Sequence, residues 1–519
     1  MEAIDYMAEF EKQVREADGQ TLQTVTPGTS EPISTDAPLT SEDVLDDLRR
    51  NEDGDAKLFQ ELHRGRFCYD GSSGRWYSWK THSWEKDVLG EVTRAIDAVI
   101  NAYAEETSRQ TWQRLQAEKA GRTQEANQRA KTIDVLYKRI RTLQTVARKE
   151  NVLTLARTGA DSLAIRGDEW DRDPWLLACP NGIIDLRTGN LRPGTPNDYI
   201  KTVAPVEYHG KNTPAPHFDR FISEVFNHDQ ELIGFIQRLL GYMITGDISE
   251  HILAAFEGKG RNGKSTLVEI ISFILGGYAG QIESEMLLAQ KFGRQSGGPS
   301  PDIMALRGKR FVHCSETESG RHFNLSKVKW LSGGDTLTGR ELYGKELVTF
   351  RPTHKIVLST NHRPHANADD YAFWKRALLI PFNLSFVADP KESHERKADP
   401  QLPEKLRAEA PGILSWLVRG CLEWQKQRLN PPDCVKAATE EYRNDEDIIK
   451  HFIDDRCLVA PELSVKALVL YKAYRLWCEE MGHVPLNGTN FAIKIKAKFG
   501  SKRTMHGFVY FGFDLLAGA

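Results

Sequence analysis

The spacing of hydrophobic positions changes several times along the 519 residues of the chain. Between residues 65 and 87, aromatic positions alternate with polar ones on either side of a Gly-Ser turn, which predicts a β-hairpin or a small sheet. Residues 88–150 have a helical spacing and many charges, which predicts two or more amphipathic helices. Residues 174–208 alternate again around a turn at Asn181-Gly182 and predict a second hairpin.

The second half of the chain follows a different pattern. Residues 218–246 are helical in spacing, and residues 252–388 alternate apolar strands with helices, which favours a parallel sheet. Residues 403–445 are helical, and residues 447–519 read as three helices followed by an alternating β segment. The predicted fold class is a multidomain α/β protein with a parallel sheet core and an α+β N-terminal domain.

A glycine-rich turn follows the apolar run that ends at Phe256, and a helix follows the turn. The eight residues from Gly258 to Ser265 fit the phosphate-loop pattern GxxxxGK[ST], in which backbone N–H groups and a helix N-terminus bind phosphate. Lys264 is expected to reach the β and γ phosphates, and Ser265 to bind Mg²⁺. A chance match in a glycine-rich turn is the alternative. The predicted nucleotide-binding residues are Gly258, Gly260, Asn262, Gly263, Lys264, Ser265 and Thr266.

Three polar side chains at the ends of later strands are candidate catalytic groups. Glu316, or Glu318 beside it, follows an apolar strand and could hold Mg²⁺ and polarise the attacking water. Asn361 follows the next strand, where an amide can orient that water. Arg376 precedes an apolar strand and could stabilise transition-state charge at a neighbouring subunit. The non-catalytic alternatives are that the glutamate is a solvated charge at the end of a strand and that Arg376 is a surface arginine paired with an acid.

The order of four stretches, "GKGRNGKST", "RFVHCSETE", "VKWLSGGDTLTGRELYGKE" and "LSTNHRPHANADDYAFWKRALLIPF", resembles the superfamily-3 helicases. Within them it is similar to the phage and plasmid primase-helicase family, which is related to the poxvirus primase-helicase. Upstream, "NGIIDLRTG" resembles a signature of the domain that precedes the helicase in that family. The short segment before "AKLFQELHRG" is too small for a primase-polymerase domain, so primase activity is not expected.

The resemblance implies an AAA+-type P-loop core that hydrolyses ATP with Mg²⁺ between the subunits of a ring. It also implies that Glu316 or Glu318 is the Walker B acid, Asn361 the sensor and Arg376 the arginine finger. The predicted domains are a disordered N-terminal segment (1–45), an α+β domain (46–210), the superfamily-3 AAA+ core (211–390), a helical connector (391–446) and a winged-helix-like domain (447–519).

Basic residues in the core could contact DNA. Lys345 is expected at the tip of a hairpin, where the resemblance places a pore-facing loop, and would contact phosphate without sequence preference. Lys329 and Arg340 would support this contact or sense nucleotide. A solvated hairpin lysine is an equally simple interpretation of Lys345.

The C-terminal segment resembles a winged helix-turn-helix. Its first long helix is expected to bury Leu468, Tyr471 and Leu476, while a basic second helix presents Lys494 and Lys498 to DNA. Such folds also dock proteins, which is the alternative. The aromatic residues of the first hairpin could stack on bases, although packing in a core is the more common role of such residues. They are Trp76, Tyr77, Trp79 and Trp84.

Composition narrows the classes further. The chain has 27% charged and 40% hydrophobic residues, and no run approaches the roughly 20 apolar residues needed to cross a bilayer. Its start lacks the profile of a signal peptide, so a cytoplasmic protein without a membrane partner is expected. The net charge of −3 means that any contact with nucleic acid must come from a local basic patch. The seven cysteines are scattered, which predicts reduced, mostly buried thiols.

Together, the sequence features predict an ATPase and DNA helicase that forms a ring and acts with several partners. These partners are single-stranded and forked DNA, further copies in a hexamer, and a separate primase or polymerase. The helicase would translocate on single-stranded DNA during replication of a phage, plasmid or integrated mobile element. The alternative is a nucleotide-dependent DNA-binding initiator or loader without processive unwinding. A small-molecule kinase fits less well because the sequence shows no lid.

Overall fold

The computed structural model describes residues 39–159, 161–290, 299–315, 320–342, 347–505 and 507–516. The chain forms two compact units, Met1–Tyr69 with Val88–Ala164 and Asp70–Asp87 with Ile165–Ala519. The first helix begins at Ser41, a few residues before the predicted start of order, and residues 1–38 lie outside the described part. The five domain limits stay predictions.

The first unit is helical. Thr40 starts it with a capping box, because its side chain accepts a hydrogen bond from Asp43 N while the Asp43 carboxylate accepts one from Thr40 N. The helical spacing of residues 88–150 is confirmed by two long helices that pack against each other. The helices are α1 (Ser41–Arg49), α2 (Glu52–His63), α3 (Glu91–Arg94), α4 (Asp97–Lys119), α5 (Thr123–Leu143) and α6 (Val146–Ala156).

A buried carboxylate ties the helices of this unit together. Asp55 on α2 is fully buried. Its carboxylate accepts hydrogen bonds from Arg139 Nη1 at 2.6 Å and from Arg148 Nη2 at 2.6 Å. The Tyr103 hydroxyl donates to the same carboxylate at 2.9 Å. One acid therefore joins α2 to α4, α5 and α6.

Replacing Asp55 with alanine is expected to destabilise the chain by about 3–5 kcal/mol, because two buried guanidinium groups lose their shared acceptor. Urea unfolding followed by circular dichroism would measure the change. The control is Lys149→Ala, since Lys149 pairs with an Asp97 side chain that is 63% exposed, and its loss should cost less than about 1 kcal/mol. Equal effects of the two variants would contradict the structural role of Asp55.

The second unit contains most of the strands. Strands β1 (Phe67–Asp70) and β4 (Ala164–Ile165) lie where the chain passes between the units. The other strands are β2 (Arg75–Lys80), β3 (Ser83–Lys86), β5 (Leu176–Cys179), β6 (Gly182–Asp185), β7 (Asn190–Arg192), β8 (Leu253–Glu257), β9 (Ala279–Gln281), β10 (Phe311–Ser315), β11 (Leu337–Gly339), β12 (Val348–Phe350), β13 (Lys355–Thr360), β14 (Ala377–Pro381), β15 (Ser385–Val387), β16 (Glu395–Lys397), β17 (Cys457–Lys466), β18 (Gly500–Thr504) and β19 (Gly507–Leu515).

The helices of this unit surround the sheets and confirm the helical spacing of residues 218–246 and 403–445. They are α7 (Pro216–Val225), α8 (Gln230–Met243), α9 (Lys264–Leu275), α10 (Pro301–Met304), α11 (Leu325–Ser332), α12 (Tyr371–Trp374), α13 (Leu402–Ala408), α14 (Ala410–Gln427), α15 (Asp433–Asp445), α16 (Ile448–Arg456), α17 (Ala467–Glu480) and α18 (Gly488–Lys498). Within the described residues, none of the helices combines the length and the apolarity that a membrane span needs.

The second predicted hairpin is confirmed, because β5, β6 and β7 form an antiparallel meander. The first segment forms a small sheet in which β1 and β2, on either side of the Gly-Ser turn, are neighbours, and β2 also pairs antiparallel with β3 across a turn at Thr81-His82. The aromatic residues of the first hairpin pack on one another and on Trp170: the Trp84 ring lies 5.5 Å from Trp79 and 6.2 Å from Trp170. Trp84 is buried, and its indole N–H donates to Pro196 O at 2.9 Å. Packing in a hydrophobic core therefore describes Trp84 better than stacking on a nucleic-acid base does.

The central sheet has the strand order β14-β8-β13-β10-β9, and its pairs are parallel, as the alternation of strands and helices predicts. Alternate residues of one strand enter different cores: Ala254 and Phe256 pack on one face of β8, and Leu253 and Ala255 on the other. Both faces are covered, which explains why these strands are apolar throughout. Their carboxyl ends share one edge of the sheet, where the phosphate loop begins.

The C-terminal segment corrects one sequence prediction. Helix α17 buries Leu470, Tyr474 and Trp477, whereas Leu468 is 68% exposed and Leu476 is 60% exposed, so the predicted buried face was wrong for these two leucines. A strand missing from the sequence prediction, β17, precedes the helix and pairs with β19. The three strands form an antiparallel sheet in the order β17-β19-β18 beside α16, α17 and α18.

Candidate active site

The phosphate loop, residues 258–263, joins β8 to α9 at the carboxyl edge of the central sheet. Gly260 and Gly263 have φ angles of 102° and 85°, which glycine adopts readily. A Cβ at Gly258 would lie 2.1 Å from Asn262 Nδ2 and 2.5 Å from Phe382 O, so no side chain fits there. Asn262 is buried and donates to Phe382 O at 3.4 Å. The glycines thus allow the backbone conformation of the loop, and the Asn262 amide fixes the loop to the backbone at Phe382.

Lys264, the first residue of α9, points back into this loop. Its Nζ donates to Gly258 O and, at 3.2 Å, to Asn361 Oδ1. Lys264 is 4% exposed. Burial lowers the pKa of its ammonium group, and the nearby Glu257 carboxylate opposes the shift. The structure therefore brings together two predicted catalytic residues that are far apart in the sequence.

Next to this pair lies an ion pair that the sequence prediction missed. The Arg363 guanidinium donates to both oxygens of Glu257, at 2.6 Å and 3.1 Å. Glu257 ends β8, and Arg363 lies two residues after Asn361. This bidentate contact fixes the end of the Asn361 strand to the start of the phosphate loop. A charged residue directly after an apolar strand was the available sequence signal for Glu257.

The loop suits a phosphate and a divalent metal ion. Lys264 is a buried cation, and within the described residues it forms no salt bridge, so an anion placed at the loop would compensate the cost of its burial. Ser265 is exposed at the N-terminus of α9, beside Thr266, where a hydroxyl can ligate Mg²⁺. Strand β10 ends at Ser315, opposite Ser359 of β13. The predicted second metal ligand, Glu316, and its alternative Glu318 lie outside the described residues.

Arg376 lies at the amino end of the parallel strands, the end opposite to the phosphate loop. It precedes β14, whose first residue Ala377 pairs with Leu253 and whose last pairs with Glu257. The five residues of β8 therefore separate Arg376 from the phosphate loop of its own chain by about 16 Å. Its Nη1 donates to Ala372 O at 2.7 Å. Its buried Nε lacks a hydrogen-bond partner among the residues that the structure describes.

Lys329 lies near Arg376 and not at the phosphate loop. Its Nζ donates to Asp370 Oδ2 at 2.8 Å, and the other oxygen of Asp370 accepts from Phe373 N at 3.0 Å at the start of α12. Burial opposes ionisation of Asp370, but these hydrogen bonds outweigh it and lower its pKa. The sequence prediction missed Asp370, although an aspartate before a short helix is a common N-cap.

The predicted hairpin after Lys329 is confirmed by the antiparallel pairing of β11 with β12. Arg340 follows β11, and its backbone exchanges hydrogen bonds with Ser300: Ser300 N donates to Arg340 O at 2.8 Å, and Arg340 N donates to Ser300 Oγ at 2.8 Å. Lys345, predicted at the hairpin tip, lies outside the described residues. The DNA contacts of these residues stay predictions.

The structure places the two predicted DNA-binding lysines of α18 in ion pairs. Lys494 Nζ lies 2.5 Å from Asp369 Oδ2, and Lys498 Nζ lies 2.7 Å from Asp447 Oδ2. Burial opposes ionisation of Asp447, but the hydrogen bonds from Lys498 and from the Lys450 backbone N–H, together with the charges of Lys498 and Lys494, lower the pKa of the carboxyl group. Lys494 thus joins the C-terminal segment to Asp369 outside it, whereas Lys498 pairs with an acid of the same segment.

Comparison with known proteins matches the chain at both ends. Residues 56–227 match a family model described as "D5 N terminal like", and residues 444–511 match one described as "Poxvirus D5 protein-like". Residues 256–376, between them, match a family of unknown function, DUF5906. At both ends, therefore, the chain resembles the poxvirus D5-like family. The resemblance to the poxvirus primase-helicase drawn from the sequence motifs is confirmed.

Relatives of this D5-like chain come from large DNA viruses. A proposed helicase of Acanthamoeba polyphaga mimivirus is 27% identical over 443 residues, which cover 81% of this chain and 45% of that protein. A proposed helicase of Frog virus 3 is 24% identical, covering 67% of this chain and 43% of that protein. A proposed primase of African swine fever virus is 24% identical, covering 56% of this chain and 32% of that protein. The D5-like chain thus spans less than half the length of these relatives.

Among solved structures, two structures of the NrS-1 C terminal region resemble the D5-like chain weakly. One has a TM-score of 0.35 at 14% identity and covers 60% of this chain and 77% of that one. The other has a TM-score of 0.34 at 18% identity and covers 49% of this chain and 58% of that one.

Proposed function

We propose that the chain is an ATP-dependent DNA helicase of superfamily 3, built around an AAA+-type P-loop core and active as a ring. One observation carries the proposal: Lys264 points into the phosphate loop and contacts Asn361, while Arg376 lies at the far edge of the same sheet. The names of the relatives, proposed helicases and primases, support a role in DNA replication.

The strand order supports the AAA+ assignment. Strand β13, which Asn361 follows directly, lies between β8, which precedes the phosphate loop, and β10, which precedes Glu316 in the sequence. In the proposed site, an inserted strand of this kind would bring the Asn361 amide between the phosphate loop and Glu316. Asn361 can then orient a water molecule that attacks the γ phosphate, and Glu316 can polarise it.

The remaining residues of the proposed site bind and position ATP. The N–H groups of residues 258–263 and the N-terminus of α9 cradle the phosphates, and Lys264 neutralises charge on the β and γ phosphates. Ser265 and Glu316 would hold Mg²⁺, which would neutralise negative charge on the β and γ phosphates. Thr266, next to Ser265 on the first turn of α9, adds its N–H group to the cradle.

The position of Arg376 supports a site shared between copies. Because Arg376 lies about 16 Å from its own phosphate loop, it reaches a bound nucleotide only across a subunit interface. A closed ring gives every copy such an interface, since head-to-tail contacts repeat around it. We propose a hexamer in which the loop bearing Lys345 contacts single-stranded DNA in the central channel, while Lys329 and Arg340 support this contact or sense the nucleotide.

Strand displacement on a forked duplex tests the proposed helicase activity. The wild-type chain is expected to release the displaced strand only with ATP and Mg²⁺, while Lys345→Ala should lower displacement about tenfold or more and leave DNA-independent hydrolysis unchanged. Glu341→Ala, a change in the same hairpin that removes an acid, is the control. Hydrolysis stimulated by single-stranded DNA without any strand displacement would instead favour the initiator or loader function.

A further inference from the structure

The residues between Asn361 and Arg376 connect the two halves of the proposed interfacial site. We call residues 362–370 the linking loop; it runs from Asn361, at the carboxyl edge of the sheet, to α12, which precedes Arg376 at the amino edge. In a ring, Asn361 would act on the nucleotide of its own copy and Arg376 on that of its neighbour. The conformation of this loop therefore determines the position of Arg376 relative to Asn361.

Residues outside the predicted ATPase core hold the first part of the linking loop. The Tyr442 hydroxyl donates to Pro364 O, and Glu446 Oε2 accepts from Ala366 N at 3.0 Å. Glu446 Oε1 lies 3.0 Å from His365 Nδ1. These contacts come from the end of α15 and from the residue that follows it.

The second part of the linking loop is held by α18. Lys494 Nζ lies 2.5 Å from Asp369 Oδ2 and donates to Asn367 Oδ1 at 3.1 Å. Asn367 O in turn accepts from Trp374 Nε1 on α12 at 2.9 Å. Lys494 thus contacts the loop immediately before Asp370, which caps α12.

We propose that Lys494 is a positioning residue for ATP hydrolysis: it fixes the linking loop so that α12 presents Arg376 to the neighbouring copy. The lysine is half-buried, with 22% of its side chain exposed, and it spans two acceptors on the loop. An ammonium group shared between a carboxylate and an amide oxygen restricts both residues. This proposal rests on the proposed function, because it assigns Arg376 to a shared site.

The proposal predicts where in a mixture the substitution acts. Copies with Lys264→Ala lack a working phosphate loop but still offer Arg376; copies with Arg376→Ala hold ATP but lack the arginine. Mixing them should restore hydrolysis at mixed interfaces. Adding Lys494→Ala to the Lys264→Ala copies should lower the restored kcat about fivefold and leave KM for ATP unchanged. Adding it to the Arg376→Ala copies should leave the restored rate unchanged.

Two further variants separate positioning from general loss of structure. Lys496→Ala removes a cation from the same helix, where Lys496 lies 4.1 Å above the Phe508 ring and not on the linking loop, so it should have no effect in either copy. The double variant Lys494→Asp with Asp369→Lys reverses the pair and should recover at least half of the lost rate. DNA is left out of the assay, so a loss of DNA binding does not enter the result.

The outcomes distinguish the two proposals. Two results would overturn the positioning role while leaving the shared site intact. In one, Lys494→Ala does not change the restored rate in either the Lys264→Ala or the Arg376→Ala copies; in the other, it lowers the rate equally in both. A mixture that shows no restored hydrolysis at any ratio would overturn the shared site and the positioning role together. Failure of the reversed pair to recover activity, after a loss confined to the Arg376-donating copies, would contradict the Lys494 to Asp369 contact as the cause.

Discussion

Alanine in place of Lys264 is expected to lower kcat/KM for ATP hydrolysis at least about a hundredfold, because one charge-stabilising donor at a phosphoryl-transfer site contributes about 10²–10³ to the rate. The structure gives the reason: Lys264 is the buried cation of the phosphate loop, and its Nζ already lies between Gly258 O and Asn361 Oδ1. Hydrolysis is measured as phosphate release over a range of ATP concentrations.

The same substitution should not lower the stability of the folded chain. Burial lowers the pKa of Lys264, so the charged ammonium group destabilises the folded chain when no anion is bound near it. Thermal unfolding without nucleotide should therefore show an unchanged or higher midpoint, and added ATP should raise the midpoint of the wild type more than that of Lys264→Ala. Lys259→Ala, at an exposed position in the same loop, is the matched control for both measurements. Wild-type hydrolysis by Lys264→Ala would contradict the assigned site.

The phosphate loop was predictable because its pattern is local. Eight consecutive residues specify the turn and the start of α9, and the flanking apolar run specifies β8. The contact between Lys264 and Asn361 was not predictable in the same way. The sequence indicates that each residue ends a strand or begins a helix, but the insertion of β13 between β8 and β10 depends on how whole strands pack.

The errors in the C-terminal segment have a physical cause. Helix α17 is apolar over most of its circumference, so several faces fit a buried stripe equally well. Packing against Phe452 and Phe491 selects the face of Tyr474, and Leu468 and Leu476 are left exposed. The ion pair of Lys494 with Asp369 was also unpredictable, because a basic helix face alone does not distinguish binding to DNA from binding to the chain's own acids.

Alanine in place of Arg376 is expected to lower kcat about a thousandfold or more, the usual contribution of an arginine supplied to the γ phosphate, while the affinity for ATP changes little. Arg376 lies at the amino edge of the sheet, a full strand away from its own phosphate loop, so it cannot serve the nucleotide of its own chain. Its loss should leave the affinity for a fluorescent ATP analogue within about twofold of wild type. An arginine supplied by a neighbouring copy stabilises mainly the transition state and contributes little to ATP binding.

Mixing the variants tests the position of Arg376 directly. Inactive Arg376→Ala copies and inactive Lys264→Ala copies should regain part of the wild-type rate when they are combined, because some interfaces then contain one intact phosphate loop and one intact arginine. The regained rate should peak near equal amounts and rise with protein concentration, since the site exists only at an interface. Lys375→Ala, an exposed neighbour of Arg376, should retain full activity alone and serves as the control. A chain that hydrolyses ATP at full rate as a monomer, or an Arg376→Ala variant that does so, would show that each copy contains a complete site.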